Sequence, residues 1–148
     1  MTVYDRAKSF MRASGNLTQW AGAYPAQADV EADVAAGNLY VAEDAEGRVV
    51  MVFAFIPGED PTYNRIDGAW LNDDDYGTIH RIATDGSVAR CFDRAVGFCL
   101  SRTDNIRIDT HRDNRPMLKA LRRAGFTRCG VIICADGTPR EAFQMVKR

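Results

Sequence analysis

Two histidines and one aspartate stand at positions where the chain could carry acid–base chemistry. His80 lies on an apolar segment that predicts a strand ending at Ala83, and Asp109 and His111 lie where a second such segment ends. An imidazole titrates near neutral pH, so either histidine suits a general acid or base. Asp109 could orient His111, or all three side chains could ligate a metal ion. The competing interpretation makes Asp109 a turn cap and His111 a surface residue.

A predicted helix joins these two strands and makes the segment a βαβ unit. In the helix Ser87–Ser101, apolar residues recur at helical spacing: Val88, Cys91, Phe92, Ala95, Phe98 and Cys99. The strands Gly77–Ala83 and Asn105–Asp109 are therefore predicted to be parallel neighbours, joined by a right-handed crossover. Ligands bind beyond the carboxyl ends of such strands. Those ends are the Thr84–Ser87 loop and the Asp109–His111 segment.

The remaining elements follow from ordinary signals of helices, strands and turns. Further helices are predicted at Thr2–Ser14, Ala26–Ala36 and Asn114–Ala124, and further strands at Leu39–Glu43, Arg48–Ile56, Tyr63–Trp70, Phe126–Cys134 and Arg140–Val146. The order α α β β β β α β α β β predicts an α/β (α+β) fold. Its sheet is mixed and mostly antiparallel, with one parallel βαβ step and helices on both faces. A length of 148 residues suits a single domain over residues 1–148.

Composition excludes several classes of function. The net charge is −1, with 19 Lys and Arg against 20 Asp and Glu, so no global field recruits nucleic acid or an anionic membrane. No apolar run approaches the roughly 18 residues of a membrane helix, and we expect no signal peptide. The four cysteines lie in apolar stretches without a Cys-x-x-Cys pair. They predict reduced thiols in a cytoplasmic protein and no metal site.

The element order and several central residues resemble the GNAT superfamily of N-acetyltransferases, over nearly the whole chain. Two predicted helices precede the first strand, as in that family. The hairpin Leu39–Val52 is similar to the family's first two strands. The run Asp113-Asn114…Gly125-Phe126 is similar to its Asn…Gly-Phe helix. The resemblance implies an acyltransferase that uses acetyl-CoA as co-substrate and a small-molecule amine as acceptor.

The resemblance also implies roles for individual residues. The strand around Ile82 and Ala83 would pair with the amides of pantetheine, and Asn114 would contact the same arm. The pyrophosphate would bind to backbone N–H groups of the loop and helix start at Gly86, Ser87, Val88, Ala89 and Arg90. Family members often place a carboxylate base on the first of the two parallel strands. His80 is the titratable residue there, and His111 would protonate the leaving thiolate.

The sequence departs from the family pattern at two places. The pyrophosphate loop of the family carries several glycines, whereas Gly86 is the single glycine here, so side chains could obstruct close approach of a phosphate. Leu121 occupies the position of the family's tyrosine general acid. These departures keep a second function open, a GNAT-like module that binds or senses a ligand without catalysis. Homodimerisation is also left open.

A run of acidic and aromatic residues borders the predicted acceptor side of the sheet. It comprises Tyr63, Trp70, Asp73, Asp74, Asp75 and Tyr76. Such a mouth would favour a cationic amine through charge and cation–π attraction. The alternative interpretation is a solvated acidic loop with aromatic side chains in the core.

Overall fold

The computed structural model describes residues 27–147, and the predicted helix Thr2–Ser14 lies outside this range. The elements are α1 (Gln27–Ala35), β1 (Leu39–Glu43), β2 (Val49–Pro57), a 3₁₀ helix (Pro61–Asn64), β3 (Asp67–Gly68), β4 (Gly77–Thr84), α2 (Cys91–Leu100), β5 (Asn105–Thr110), α3 (Arg115–Ala124), β6 (Thr127–Ile133) and β7 (Pro139–Val146). The strands form a seven-stranded sheet in the order β1-β2-β4-β5-β7-β6-β3. Among these residues no helix is long and apolar enough to cross a membrane.

The predicted mixed sheet is confirmed, with β4 and β5 as its parallel pair. Within residues 27–147, the ladder between them consists of Gly77 opposite Ile106 and Thr78 opposite Arg107. The ladder ends at Thr78, and we call the stretch beyond it, where β4 and β5 are not paired with each other, the splay. All other neighbouring strands are antiparallel.

The two faces of the sheet are buried differently. On one face, α2 and α3 pack on a large apolar core that includes Phe53, Ile79, Ile106 and Leu121. On the other face, the segment between β2 and β4 folds over the sheet, and Tyr63 packs with residues of β6 and β7. The alternation of side chains along each strand sends one set of residues to the helices and the other to this covering segment.

A bulge interrupts β4 beside the splay. Val52 pairs with Ala83 and Ala54 with His80, so β4 holds one more residue than β2 between these pairs. Arg81 takes a left-handed conformation there, with φ of 50°, which is unusual for a residue with a side chain. Its guanidinium bonds both carboxylate oxygens of Asp33 in α1, Nε to Oδ2 and Nη2 to Oδ1, each at 2.7 Å. This ion pair ties α1 to the bulge.

Two predicted elements differ from the structure. The strand Tyr63–Trp70 is wrong: Asp60 accepts from the Thr62 N–H at 2.9 Å and Pro61 follows it, a combination that starts a short helix. Only Asp67–Gly68 forms a strand in this segment, at the edge beside β6. The helix predicted from Ser87 begins at Cys91, because the preceding residues form a turn and Arg90 is left-handed, with φ of 61°.

Candidate active site

A carboxylate holds the imidazole of His80. Nε2 of His80 lies 2.8 Å from Oδ2 of Asp60, which belongs to the loop after β2. Asp60 is itself fixed, because Oδ1 caps the 3₁₀ helix and its backbone N–H donates to the Tyr76 hydroxyl at 2.8 Å. The hydrogen bond to His80 is the main reason that the pKa of Asp60 lies below its usual range. Asp60 is therefore an ionised, positioned partner for His80.

A second carboxyl lies beside this pair. The hydroxyl of Tyr63 donates to Oδ2 of Asp109 at 2.6 Å, and the Tyr63 ring centroid is 6.3 Å from that of His80. Burial raises the pKa of Asp109, and the nearby charge of His80 opposes that rise. Burial and the Asp109 charge hold the pKa of Tyr63 well above its usual range. We call Asp60, Tyr63, His80 and Asp109 the His80 cluster; it joins residues from a loop, a 3₁₀ helix and two strands.

His111 directly follows the end of β5. Its Nδ1 accepts a hydrogen bond from the Asp113 N–H at 3.0 Å, in the turn that leads into α3. Burial lowers the pKa of His111, which favours a neutral imidazole with its proton on Nε2. Between residues 27 and 147, no hydrogen bond joins Asp109 to His111. The hypothesis that Asp109 orients His111 is therefore not supported, since the carboxylate bonded to a histidine is Asp60.

A metal site at His80, Asp109 and His111 finds no support in this geometry. In the described part of the chain, no three His, Cys, Asp or Glu side chains are grouped so that they could hold a metal ion. The three residues instead take part in separate contacts: His80 with Asp60, Asp109 with Tyr63, and His111 with Asp113.

The residues predicted to bind the co-substrate line the splay and the loop beyond β4. Ile82 and Ala83 follow the bulge in β4, on the strand that borders the splay. Beyond Thr84, Gly86 is left-handed with φ of 78°, and its N–H donates to the Thr84 hydroxyl at 3.3 Å. The N–H and hydroxyl of Ser87 both donate to Oδ1 of Asp85, at 2.9 and 2.5 Å. Val88, Ala89 and Arg90 complete the loop, and no side chain caps α2 at Arg90.

Asn114 has a structural task in addition to its predicted one. It is the residue that caps α3, and its Oδ1 accepts from the Met117 N–H at 3.4 Å. The helix ends at Gly125, which is left-handed with φ of 97°. The Asn…Gly-Phe pattern thus marks the beginning and end of α3. Asn114 thus begins the helix that follows β5, the second strand of the splay.

Comparison with solved structures identifies the architecture. The chain is similar to a GNAT-family acetyltransferase from Streptococcus agalactiae, with 29% identity and a TM-score of 0.89 over 100% of this chain and 88% of that one. GNAT-family acetyltransferases from Listeria monocytogenes and Bacillus cereus match at 15% and 16% identity, with TM-scores of 0.70 and 0.59. They cover 98% and 100% of this chain, and 86% and 93% of theirs.

The chain has the fold of the GNAT superfamily. Neither a scan against protein-family profiles nor a comparison with curated proteins gave a match. The likeness is therefore carried by structure: the mixed sheet, the single parallel step and the splay beside β4. At the level of the fold, the neighbours are acetyltransferases, and acyl transfer is the reaction class that they support.

Within this GNAT fold, several residues offer no group for acid–base or nucleophilic chemistry. Leu121, at the position of the tyrosine general acid, is completely buried in the core beneath α3 and offers no proton. Three of the cysteines are unsuited to nucleophilic attack, because burial raises the pKa of Cys99 to about 12, that of Cys134 to about 11, and also that of Cys129. The His80 cluster places titratable groups on both strands of the splay, His80 on β4 and Asp109 on β5.

The acidic loop does line a cavity. Its volume is about 280 Å³ and its walls are Gly58, Glu59, Asn64, Asp73, Asp74, Asp75, Tyr76 and Arg107. The Arg107 guanidinium stacks between Trp70 and Tyr76, 4.2 and 4.0 Å from their ring centroids. Tyr76 connects the cavity to the His80 cluster, because its hydroxyl contacts Asp60.

Asp60 was not identified from the sequence, and Tyr63 was predicted only as part of a strand and as an aromatic residue that borders the acceptor site. Asp60-Pro61 is nevertheless the signature of a capped helix start. That signature predicts a local cap. It carries no sign of the contacts to His80, 20 positions away, or from Tyr63 to Asp109, 46 positions away.

Proposed function

We propose that the protein is an acyl-CoA-dependent N-acyltransferase, which moves an acetyl group from acetyl-CoA to a primary amine by direct attack. The observation that carries the proposal is the His80–Asp60 pair, an oriented base on the strand that borders the splay. The GNAT fold adds the class of reaction, since the structural neighbours are acetyltransferases.

His80 has the chemistry of the base that this reaction needs. An amine attacks a thioester through its neutral form, so a proton must leave the nitrogen. With Nε2–H donated to Asp60, Nδ1 of His80 is the nitrogen that accepts that proton. The Asp60 carboxylate then stabilises the imidazolium that forms. Asp60 acts as a positioning residue in this scheme and does not touch the substrate.

The departing thiolate also needs a proton. We assign that role to His111, whose Nδ1 is bonded to the Asp113 N–H, so that a neutral ring carries its proton on Nε2. Asp109 is the second candidate, because burial raises its pKa and favours the protonated carboxyl. Comparing kcat for His111→Asn and Asp109→Asn tests which residue supplies the proton.

Acetyl-CoA would bind along β4 and across the loop beyond it. Ile82 and Ala83 would pair with the pantetheine amides, and the Asn114 side chain would contact the same arm from the start of α3. Backbone N–H groups between Gly86 and Arg90 would face the pyrophosphate. The splay beyond Thr78 would take the arm, because β4 and β5 are not paired with each other there.

The acceptor would enter from the acidic cavity. Its carboxylates favour a cation, and Tyr76 leads from it to Asp60 and then to His80. We therefore propose a small cationic amine as acceptor. The test is a thiol-release assay over a panel of amines, in which polyamine-like acceptors should exceed neutral amines in kcat/KM.

One observation favours the second function, a ligand-binding module without catalysis. The carboxylate of Asp85 accepts the N–H and the hydroxyl of Ser87, in the loop where a pyrophosphate would bind. Thermal-shift titration distinguishes the two functions from an inert fold, because a ligand of the native state raises its stability. A shift with acetyl-CoA and thiol release with an amine support the enzyme. A shift without release supports the binding module, and no shift at millimolar acetyl-CoA contradicts donor binding.

A further inference from the structure

The loop between β4 and α2 already holds an anion of its own. Asp85 Oδ1 accepts both the N–H and the hydroxyl of Ser87, and Thr84 accepts the N–H of Gly86. The first two N–H groups of the loop are thus bonded within the chain. A pyrophosphate would have to displace these bonds and approach the Asp85 charge, which Coulomb repulsion opposes.

A second carboxylate, that of Asp93, lies near two arginines, Arg90 at the start of α2 and Arg123 in the last turn of α3. Oδ2 of Asp93 lies 3.5 Å from Nη1 of Arg90 and 3.4 Å from Nε of Arg123. Asp93 is in the first helical turn, where negative charge is favoured by the helix dipole. The Ser87 N–H of the loop is therefore bonded to Asp85, and the guanidinium groups of Arg90 and Arg123 lie against Asp93.

The splay shows the opposite property. The ladder between its two strands ends at Thr78, and on the other edge of β4 the ladder with β2 is irregular at Arg81. Backbone groups on both sides can there pair with an extended ligand. An extended pantetheine arm would pair in the splay, whereas a pyrophosphate at the loop would meet the carboxylates of Asp85 and Asp93.

We propose that the protein recognises its donor through the acyl-pantetheine arm and gains little from the nucleotide. The donor class is then an acyl-pantetheine thioester, whatever group its distal end carries, and Asp85 is the residue that discriminates against pyrophosphate. This inference rests on the proposed function, since it assumes that a thioester donor binds in the splay.

The first experiment compares two donors by isothermal titration calorimetry with the full chain. Acetyl-CoA and S-acetylpantetheine, which lacks both phosphates and the nucleotide, should have dissociation constants within about threefold of each other. Acetyl-CoA binding more than about a hundredfold more tightly would overturn the inference and leave the proposed function intact. Absence of binding by either thioester would overturn both, so the two failures are distinguishable.

The second experiment changes Asp85 and uses a matched control. Asp85→Ala removes the charge and releases the Ser87 N–H, so the dissociation constant of acetyl-CoA should fall by about fivefold to tenfold while that of S-acetylpantetheine stays constant. Asp85→Asn removes the charge and keeps an acceptor, so it should give a smaller gain. Asp136→Ala is the control, because Oδ1 of Asp136 accepts from the N–H and hydroxyl of Thr138, at 2.9 and 2.5 Å, in the β6–β7 turn.

The outcomes of the variants decide the role of Asp85. A gain for acetyl-CoA with Asp85→Ala, and none with Asp136→Ala, supports discrimination at the loop. Equal affinities for acetyl-CoA in Asp85→Ala and the parent protein would overturn it. Equal gains for both donors would overturn it as well, because the change would then act on the splay rather than on the phosphates.

Discussion

Nε2 of His80, in β4, lies 2.8 Å from Oδ2 of Asp60, which belongs to the loop after β2 and is 20 positions away in the chain. The contact exists because the segment after β2 turns back over the sheet and is capped by Asp60 itself. One carboxylate therefore both shapes the loop and orients the imidazole. Its removal should affect catalysis through His80.

The first prediction concerns this pair. His80→Gln should lower kcat by about 10²–10⁴-fold, because it removes the proton acceptor. Asp60→Asn should lower kcat by about tenfold, because the imidazolium that forms on His80 during the reaction loses its counter-ion. A pH–rate profile of each variant checks this. A loss below about threefold for His80→Gln would show that the proton takes another route.

The second prediction separates His111 from a structural role. His111→Asn should reduce kcat by at least about tenfold while the dissociation constant of acetyl-CoA stays nearly constant. An asparagine oxygen can still accept from the Asp113 N–H, so the turn before α3 should persist. Unchanged kcat, measured by thiol release, would leave His111 as a turn residue and move the proton donation to Asp109.

The third prediction concerns stability and pH at Asp109. Its pKa in the folded protein is raised by burial above the unfolded value, so its favourable contribution is present below the unfolded pKa and is lost as the pH rises through the folded pKa. At pH 7–8 the buried charge costs stability. Asp109→Asn keeps an acceptor for the Tyr63 hydroxyl and should raise Tm there, with no gain near pH 3, where Asp109 is protonated. A lower Tm at pH 8 would contradict this.

The fourth prediction distinguishes the two roles of Asn114. Asn114→Ala removes the cap of α3 and should cost about 1 kcal/mol of unfolding free energy. Asn114→Ser keeps a capping oxygen and should preserve most of that stability. Both should weaken acetyl-CoA binding by roughly 1 kcal/mol if the amide contacts the pantetheine arm. Denaturant titration and calorimetry together check this, and full affinity in Asn114→Ser would limit Asn114 to the cap.

The fifth prediction concerns the Arg81–Asp33 ion pair. Asp33 is 6% exposed, so Asp33→Ala leaves the Arg81 guanidinium without this partner and should cost about 3 kcal/mol. Asp29→Ala, on an exposed residue of the same helix, is the control and should change stability by less than about 1 kcal/mol. Urea denaturation measures both. Equal effects would show that the ion pair does not hold α1 on the bulge.

Local patterns explain why much of the fold was predictable. The hairpin of β1 and β2, the parallel pair and α3 follow from alternation, helical spacing and capping residues within each segment. The segment Tyr63–Trp70 misled because its aromatic residues resemble a strand. In the structure the Trp70 indole donates to the Tyr63 carbonyl at 2.9 Å, and the Tyr63 hydroxyl donates to Asp109.

The candidate site was predictable only in part. His80, Asp109 and His111 could be proposed as site residues because their residue types and strand positions are visible in the sequence. Their partners could not, because Asp60 and Tyr63 reach them through a loop whose path depends on tertiary packing. The proposed role of Asp85 could not be predicted either. The sequence Asp-Gly-Ser predicts an ordinary loop, and only the structure gives the hydrogen bonds from Ser87 to Asp85.

The short ladder between β4 and β5 divides the sheet into two parts, which are paired with each other only at one end of the seam between them. Two residue pairs in the described chain join β1-β2-β4 to β5-β7-β6-β3, and the rest of the seam depends on the helices packed across it. Amide hydrogens on the free part of β4 should therefore exchange with deuterium faster than those bonded to β2. A ligand that pairs with both strands in the seam would join the two parts of the sheet and slow hydrogen exchange in both.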